Sequence, residues 1–90
     1  MFTSKLELCI NIAKSLVEYG PQTTEQLVTR LEVNPTLLQR QVGFLVFQDM
    51  IKKENSGLSI TYVIAAKGVK ILEFLKVLPS NNFRGLEAPA

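Results

Sequence analysis

Ninety residues with ten Lys and Arg against eight Asp and Glu, one cysteine and no histidine make one small domain, since a chain of this length cannot bury a second core. One Cys and no His exclude both an internal disulfide and a site of three or four nitrogen and sulfur ligands for zinc, and they leave no imidazole for acid-base work, so neither an enzyme nor a cofactor is expected. The hydrophobic share of 47% and mean hydropathy of +0.18 are high for a small monomer, and predict a second surface buried against another copy of the chain.

The start, MFTSKLELCINIAK, has Lys5 and Lys14 where a secretory signal would have an unbroken apolar stretch. The longest charge-free run, Asn55 to Ala66, is far below the roughly 20 residues of a membrane helix. A cytoplasmic protein with no membrane partner is expected. The net charge of +2 is unevenly spread. Lys5 and Lys14 balance Glu7 and Glu18; Arg30, Arg40, Lys52 and Lys53 balance Glu25, Glu32, Asp49 and Glu54; the excess comes from Lys67, Lys70, Lys76 and Arg84 over Glu73 and Glu87. Charge alone therefore announces no nucleic-acid stripe.

The first predicted helix runs from about Lys5 to Tyr19. Ser4 and Glu7 have capping-box spacing, and Gly20-Pro21 stops the helix. Leu6, Cys9, Ile10, Ala13, Leu16 and Val17 form an apolar stripe at three- and four-residue spacing; Leu8 and Ile12 fall off it and are assigned to a partner. A short helix follows over about Glu25 to Leu31, capped by Thr23 or Thr24, with Leu27, Val28 and Leu31 inward. Asn34-Pro35 combines a strong N-cap with a favoured first helical residue and opens a third helix running to about Gln48. Its core stripe is Leu38, Val42 and Leu45, which puts Thr36, Arg40, Gly43 and Phe47 on the opposite side, flanked by Gln39. Gln41 sits at the edge of the core.

From Met50 the period shortens. Two β-capable runs, Met50 to Glu54 and Ser59 to Ile64, flank an Asn55-Ser56-Gly57 turn and predict a hairpin. A last helix is expected over about Lys67 to Leu78, its apolar stripes drawn from Val69, Ile71, Leu72, Leu75 and Leu78. Residues 79–90 read as a tail. Short helix, tight link, longer helix is helix-turn-helix order, and with the hairpin and final helix it makes a mainly α winged helix-turn-helix domain over residues 1–78.

The segments LLQRQVGFLVFQDMIKK and TYVIAAKGVKILEFL carry a resemblance to the small archaeal and archaeal-virus winged-helix regulators, a group that includes the ten-kilodalton archaeal chromatin proteins. The first looks like a recognition helix entering the first wing strand. The second resembles the Tyr-x-Leu-Thr-x-x-Gly passage into the final helix, with Ala65 standing in place of the usual Thr and Ala66 near the place of an acidic or polar residue. The resemblance covers residues 5 to 78. It implies a homodimer that binds double-stranded DNA and regulates transcription, dimerised through a C-terminal helix and usually the first helix as well.

On the third helix, Arg40 suits guanine, Gln39 suits adenine, Thr36 is a small hydrogen-bonding group and Gly43 allows close approach to the duplex. In the wing, Lys52, Lys53 and Asn55 are candidate phosphate contacts, although the pleat turns only one of the two lysines to a given face. Arg30 either holds a phosphate or complements the negative end of its own helix. For Phe47 the alternatives are packing under the wing, a dimer contact or stacking on a base, of which packing is expected; Cys9 is expected to be a buried, inert thiol. Leu8, Ile12, Val69, Leu72, Leu75 and Leu78 are the expected dimer contacts. The competing reading is a winged-helix adaptor that binds protein instead of DNA.

Overall fold

The computed structural model describes residues 4–77. Helix α1 (Lys5–Tyr19) is followed by α2 (Thr24–Leu31), α3 (Pro35–Phe47), strands β1 (Ile51–Ser56) and β2 (Ser59–Ile64), and α4 (Ala66–Phe74). These four helices and one antiparallel hairpin are compatible with a winged-helix arrangement.

Ser4, Thr23 and Asn34 cap the first three helices, though on α1 only the Ser4 half of the expected capping box forms. The Ser4 hydroxyl accepts the Glu7 N–H at 3.0 Å, and Thr23 and Gln26 close a full capping box on α2. Asn34 Oδ1 accepts the N–H groups of Thr36 and Leu37 at 2.8 and 3.2 Å, with Pro35 at the first position of α3. Each contact satisfies helix-end donors that have no partner within the helix.

The helix ends follow a rule the sequence hides. Glu32, Asp49 and Lys76 all adopt left-handed backbone with φ between 54° and 62°, a conformation that glycine enters most cheaply. After Asp49 the Met50 N–H reaches the Leu45 carbonyl, and after Lys76 the Val77 N–H reaches the Leu72 carbonyl; both are six-residue closures of the Schellman type. The final helix therefore stops at Phe74, several residues before the expected Leu78, which itself lies outside the described residues along with the 79–90 segment.

The main core joins α1, α2, α3 and β1 through Leu8, Cys9, Ile12, Leu16, Leu27, Leu38, Val42, Leu45 and Ile51. The predicted α3 stripe is buried as expected, with Gln41 beside it. Helix α1 is rotated roughly a quarter turn from the predicted stripe at 100° per residue: Leu8 and Ile12, assigned to a partner, lie in the protomer's own core, while Leu6 is 69% exposed. The physical reason is Ser15, a polar residue on the buried side. Its hydroxyl and carbonyl oxygens each accept the Gln22 amide at 3.0 Å, which makes burial of that face affordable and disguises it in an apolar count. Leu72, also expected at a dimer contact, is buried against Ala13 in a second, smaller cluster.

The hairpin pairs Ile51 with Ile64, Lys53 with Tyr62 and Ser56 with Ser59. Its loop is the two residues Gly57 and Leu58, with Gly57 at φ 66°, so Asn55 belongs to the strand and not to the turn. Gln22, in the α1–α2 link, pairs with the other edge of β2: its N–H donates to the Tyr62 carbonyl at 3.1 Å and its carbonyl accepts the Tyr62 N–H at 2.8 Å. The base of the wing is thus three chain segments wide. At the far end of β2, the Ala65 N–H donates to the Met50 carbonyl at 3.0 Å. Gly68, one turn into α4, lies over that same carbonyl, and a Cβ there would collide with it.

Candidate nucleic-acid interface

Helix α3 presents Thr36, Gln39, Arg40 and Gly43 on one exposed face. The spacing does this directly: with Leu38, Val42 and Leu45 pinned in the core, residues about half a turn away must point outward. Nothing lies within 4 Å of where a Gly43 Cβ would stand, so the middle of the helix offers an unobstructed approach to its backbone.

The wing adds one lysine to this face. Ile51, Lys53 and Asn55 share a side of the pleat, and Ile51 is buried, so this side turns toward the body of the domain. Lys53 borders a shallow depression of about 170 Å³ together with Thr24, Gln39, Gly43 and Tyr62. Asn55, two residues further out, extends the same side and is exposed. Lys52 faces the opposite side of the hairpin. Of the two candidate lysines, the structure therefore brings Lys53 to the α3 face and leaves Lys52 away from it.

Arg30 has a setting beyond the two roles expected of it. Its Nε donates to Gln22 Oε1 at 3.0 Å, and its guanidinium carbon lies 3.7 Å from the centre of the Tyr19 ring. Gln22 is 3% exposed and passes its amide protons to Ser15. The chain Arg30–Gln22–Ser15 ties α2 to α1 beneath the wing, so Arg30 is first a structural residue. Position in the last turn of α2 is compatible with the favourable dipole interaction.

Phe47 departs from expectation. It is 81% exposed at the C-terminal end of α3, while Val42 and Leu45 of the same helix are buried in the core. Leu58, at the tip of the hairpin, is also fully exposed. Sequence reasoning missed this tip residue because the turn was placed one step early; the φ-permissive Gly57 is the signal that locates it, as the first residue of a two-residue loop.

Cys9 is buried, and its thiol donates to Gln41 Oε1 at 3.3 Å. Burial pushes the thiol pKa above its ordinary value of 9.0, which opposes thiolate formation. Among the described residues no group of three or more His, Cys, Asp or Glu is placed to hold a metal ion, and no helix is long and apolar enough to cross a membrane. No protein-family model matches the chain, and comparison with curated proteins finds no match.

Proposed function

We propose that this chain is a non-enzymatic winged helix-turn-helix protein of the cytoplasm that binds duplex DNA as a homodimer and regulates transcription. The observation that carries the reading is the meeting of Gln39 and Gly43 of α3 with Lys53 of the wing around one depression, beside the exposed Thr36 and Arg40. In this reading α3 enters the major groove, Arg40 and Gln39 address base edges, and Lys53 and Asn55 approach the flanking backbone. Two copies would place their recognition helices about one helical turn, ~34 Å, apart on a roughly palindromic site.

The surface for the second copy differs from the one expected. With Leu8, Ile12 and Leu72 inside the protomer, the expected contacts that stay accessible among the described residues are Leu75 and the half-buried Val69, with Phe74, 83% exposed, beside them. Sedimentation equilibrium tests this step: a 20 kDa species at micromolar concentration supports it, and a 10 kDa species refutes it.

Electrophoretic mobility shift on random and selected duplexes across a salt series tests DNA binding. Affinity that falls steeply as salt rises supports the reading, with Arg40→Ala weakening selected sequences more than random ones. Absence of binding at low salt overturns it. The adaptor reading is favoured by one observation, the exposure of Phe47 on the face that would meet DNA; it predicts that Phe47→Ser abolishes partner binding with no duplex required.

A further inference from the structure

The outer half of the hairpin takes no part in the core. Ile51 and Ile64 pair at its base, where Ile51 is buried, but Leu58 at the tip is fully exposed and Ile60 is 44% exposed. Ile60 pairs with Asn55, so it shares the side of the pleat that carries Lys53 toward α3. From Asn55 to Ile64 no residue carries a charge. The tip therefore cannot neutralise phosphates, and it offers two aliphatic side chains on a polar, uncharged arm.

The backbone presents Leu58 without strain. Gly57 takes the positive φ of 66° as the first residue of the two-residue loop, which leaves the second position open to a large side chain. Beneath the arm, Tyr62 pairs across the hairpin with Lys53 and bonds through its backbone to Gln22, which fixes the base beside the α3 face. Gly57 stands four residues beyond Lys53, about 14 Å at the rise of an antiparallel strand. That reach exceeds the ~7.5 Å depth of a minor groove. With α3 in the major groove and Lys53 at the adjoining phosphates, the groove on the far side of that backbone is the minor one, and the tip is long enough to enter it.

We propose that Leu58 is a wedge, entering the minor groove beside the site read by α3 and inserting between two base pairs, which partly unstacks them and kinks the duplex. The inference rests on the DNA reading. Base edges in the minor groove present hydrogen-bonding groups that an aliphatic side chain cannot use, whereas the base faces at an opened step are apolar surface that it can bury. Pyrimidine–purine steps unstack most readily and are the expected positions. Ile60, set back toward Lys53, follows the tip against the groove wall.

Energy transfer across a duplex of about 30 base pairs, selected by the parent from a random pool and dye-labelled at both ends, tests the wedge, with mobility shift run on the same samples. Expected are a bend of at least about 20° on binding and brightening of 2-aminopurine placed at one flanking step of each half-site and at no other step. Leu58→Ser should still retard the duplex while leaving it straight and its 2-aminopurine dark; Leu58→Met should keep most of the bend. Because Leu58 is fully exposed, both variants should melt with the parent. The wedge is overturned by a parent complex that retards the duplex and leaves it straight, or by a bend that Leu58→Ser retains, and either result leaves DNA binding intact. Absence of retardation at low salt overturns the DNA reading itself, and the wedge with it.

Discussion

The guanidinium of Arg30 lies 3.7 Å from the centre of the Tyr19 ring, which links the end of α2 to the end of α1. The same side chain donates to Gln22, so a single arginine serves a stacking contact and a hydrogen bond to a buried amide. Arg30→Ala should destabilise the fold by about 1–2 kcal/mol, read as a lower urea midpoint at unchanged slope. Arg30→Lys should fail to restore it, since an ammonium lacks the planar Nε donor. A midpoint equal to the parent's would show that neither contact stabilises the domain.

Gly43 and Gly68 are both helical glycines, and they respond to a methyl in opposite ways. A Cβ at Gly68 would meet the Met50 carbonyl oxygen and stand 2.8 Å from Ile64 Cδ1, so Gly68→Ala should cost about 3 kcal/mol or prevent folding. Gly43→Ala meets nothing within 4 Å and should raise stability by about 0.5–1 kcal/mol while weakening duplex binding. Thermal melts of the two variants compare these directions directly.

The opening of α4 lacks a side-chain cap. Ala65 has the extended backbone of an N-cap, φ −102° and ψ 164°, and makes no side-chain bond to the helix. Ala65→Ser supplies an oxygen for the N–H of the following turn with little added volume, and should stabilise the domain by about 1 kcal/mol. A rise of several degrees in Tm is expected for a domain of this size; an unchanged Tm would mean that the hydroxyl cannot reach the helix from a position that is only 8% exposed.

How far the sequence revealed this arrangement depended on whether side-chain type or backbone closure decided each feature. Asn34-Pro35 and the Leu38, Val42, Leu45 stripe were legible because cap chemistry and helical period are local, and the outer residues of α3 followed from them. The face of α1 was not, since Leu6 and Ile10 are as apolar as Leu8 and Ile12 and the choice was made by a distant hydrogen bond from Gln22 to Ser15. Nor was the early end of α4. Lys76 occupies a left-handed position where punctuation rules look for glycine, and Pro79 offered a more visible stop.

The pleat of β1 separates its two lysines. Under the DNA reading, Lys53→Ala should reduce the slope of log affinity against log salt by about one phosphate's worth, close to 0.9 per copy in contact, and Lys52→Ala should leave the slope unchanged. Equal effects from both would show that proximity to the duplex, and not the facing side of the wing, governs their contribution.

The thiol of Cys9 gives the fold a pH dependence of known sign. Its pKa is raised by burial above 9.0, so the folded chain keeps its proton longer than the unfolded chain does. The associated stability is fully present below pH 9 and is lost as pH rises through the folded value. Relative to Cys9→Ala, the parent should therefore lose stability on the alkaline side, at up to about 1.4 kcal/mol per pH unit inside that window. Parallel curves for the two chains up to pH 10.5 in denaturant titrations would contradict this. Below pH 8 the native thiol should resist alkylating reagents until the chain unfolds.

The pairing of Gln22 with Tyr62 gives the hairpin a fixed pivot. Lever-like motion is available to the outer portion around Gly57 and Leu58, while the inner portion is stitched on one side to β1 and on the other to the α1–α2 link. A force applied at the tip is consequently delivered to residue 22, and from there through its side chain to Ser15 and Arg30. Excising the hairpin would strip both backbone partners from a residue that solvent barely reaches, and transplanting it would mean carrying position 22 along. The wing and the link ahead of α2 are one mechanical part, though the paired residues Gln22 and Tyr62 stand forty positions apart along the chain.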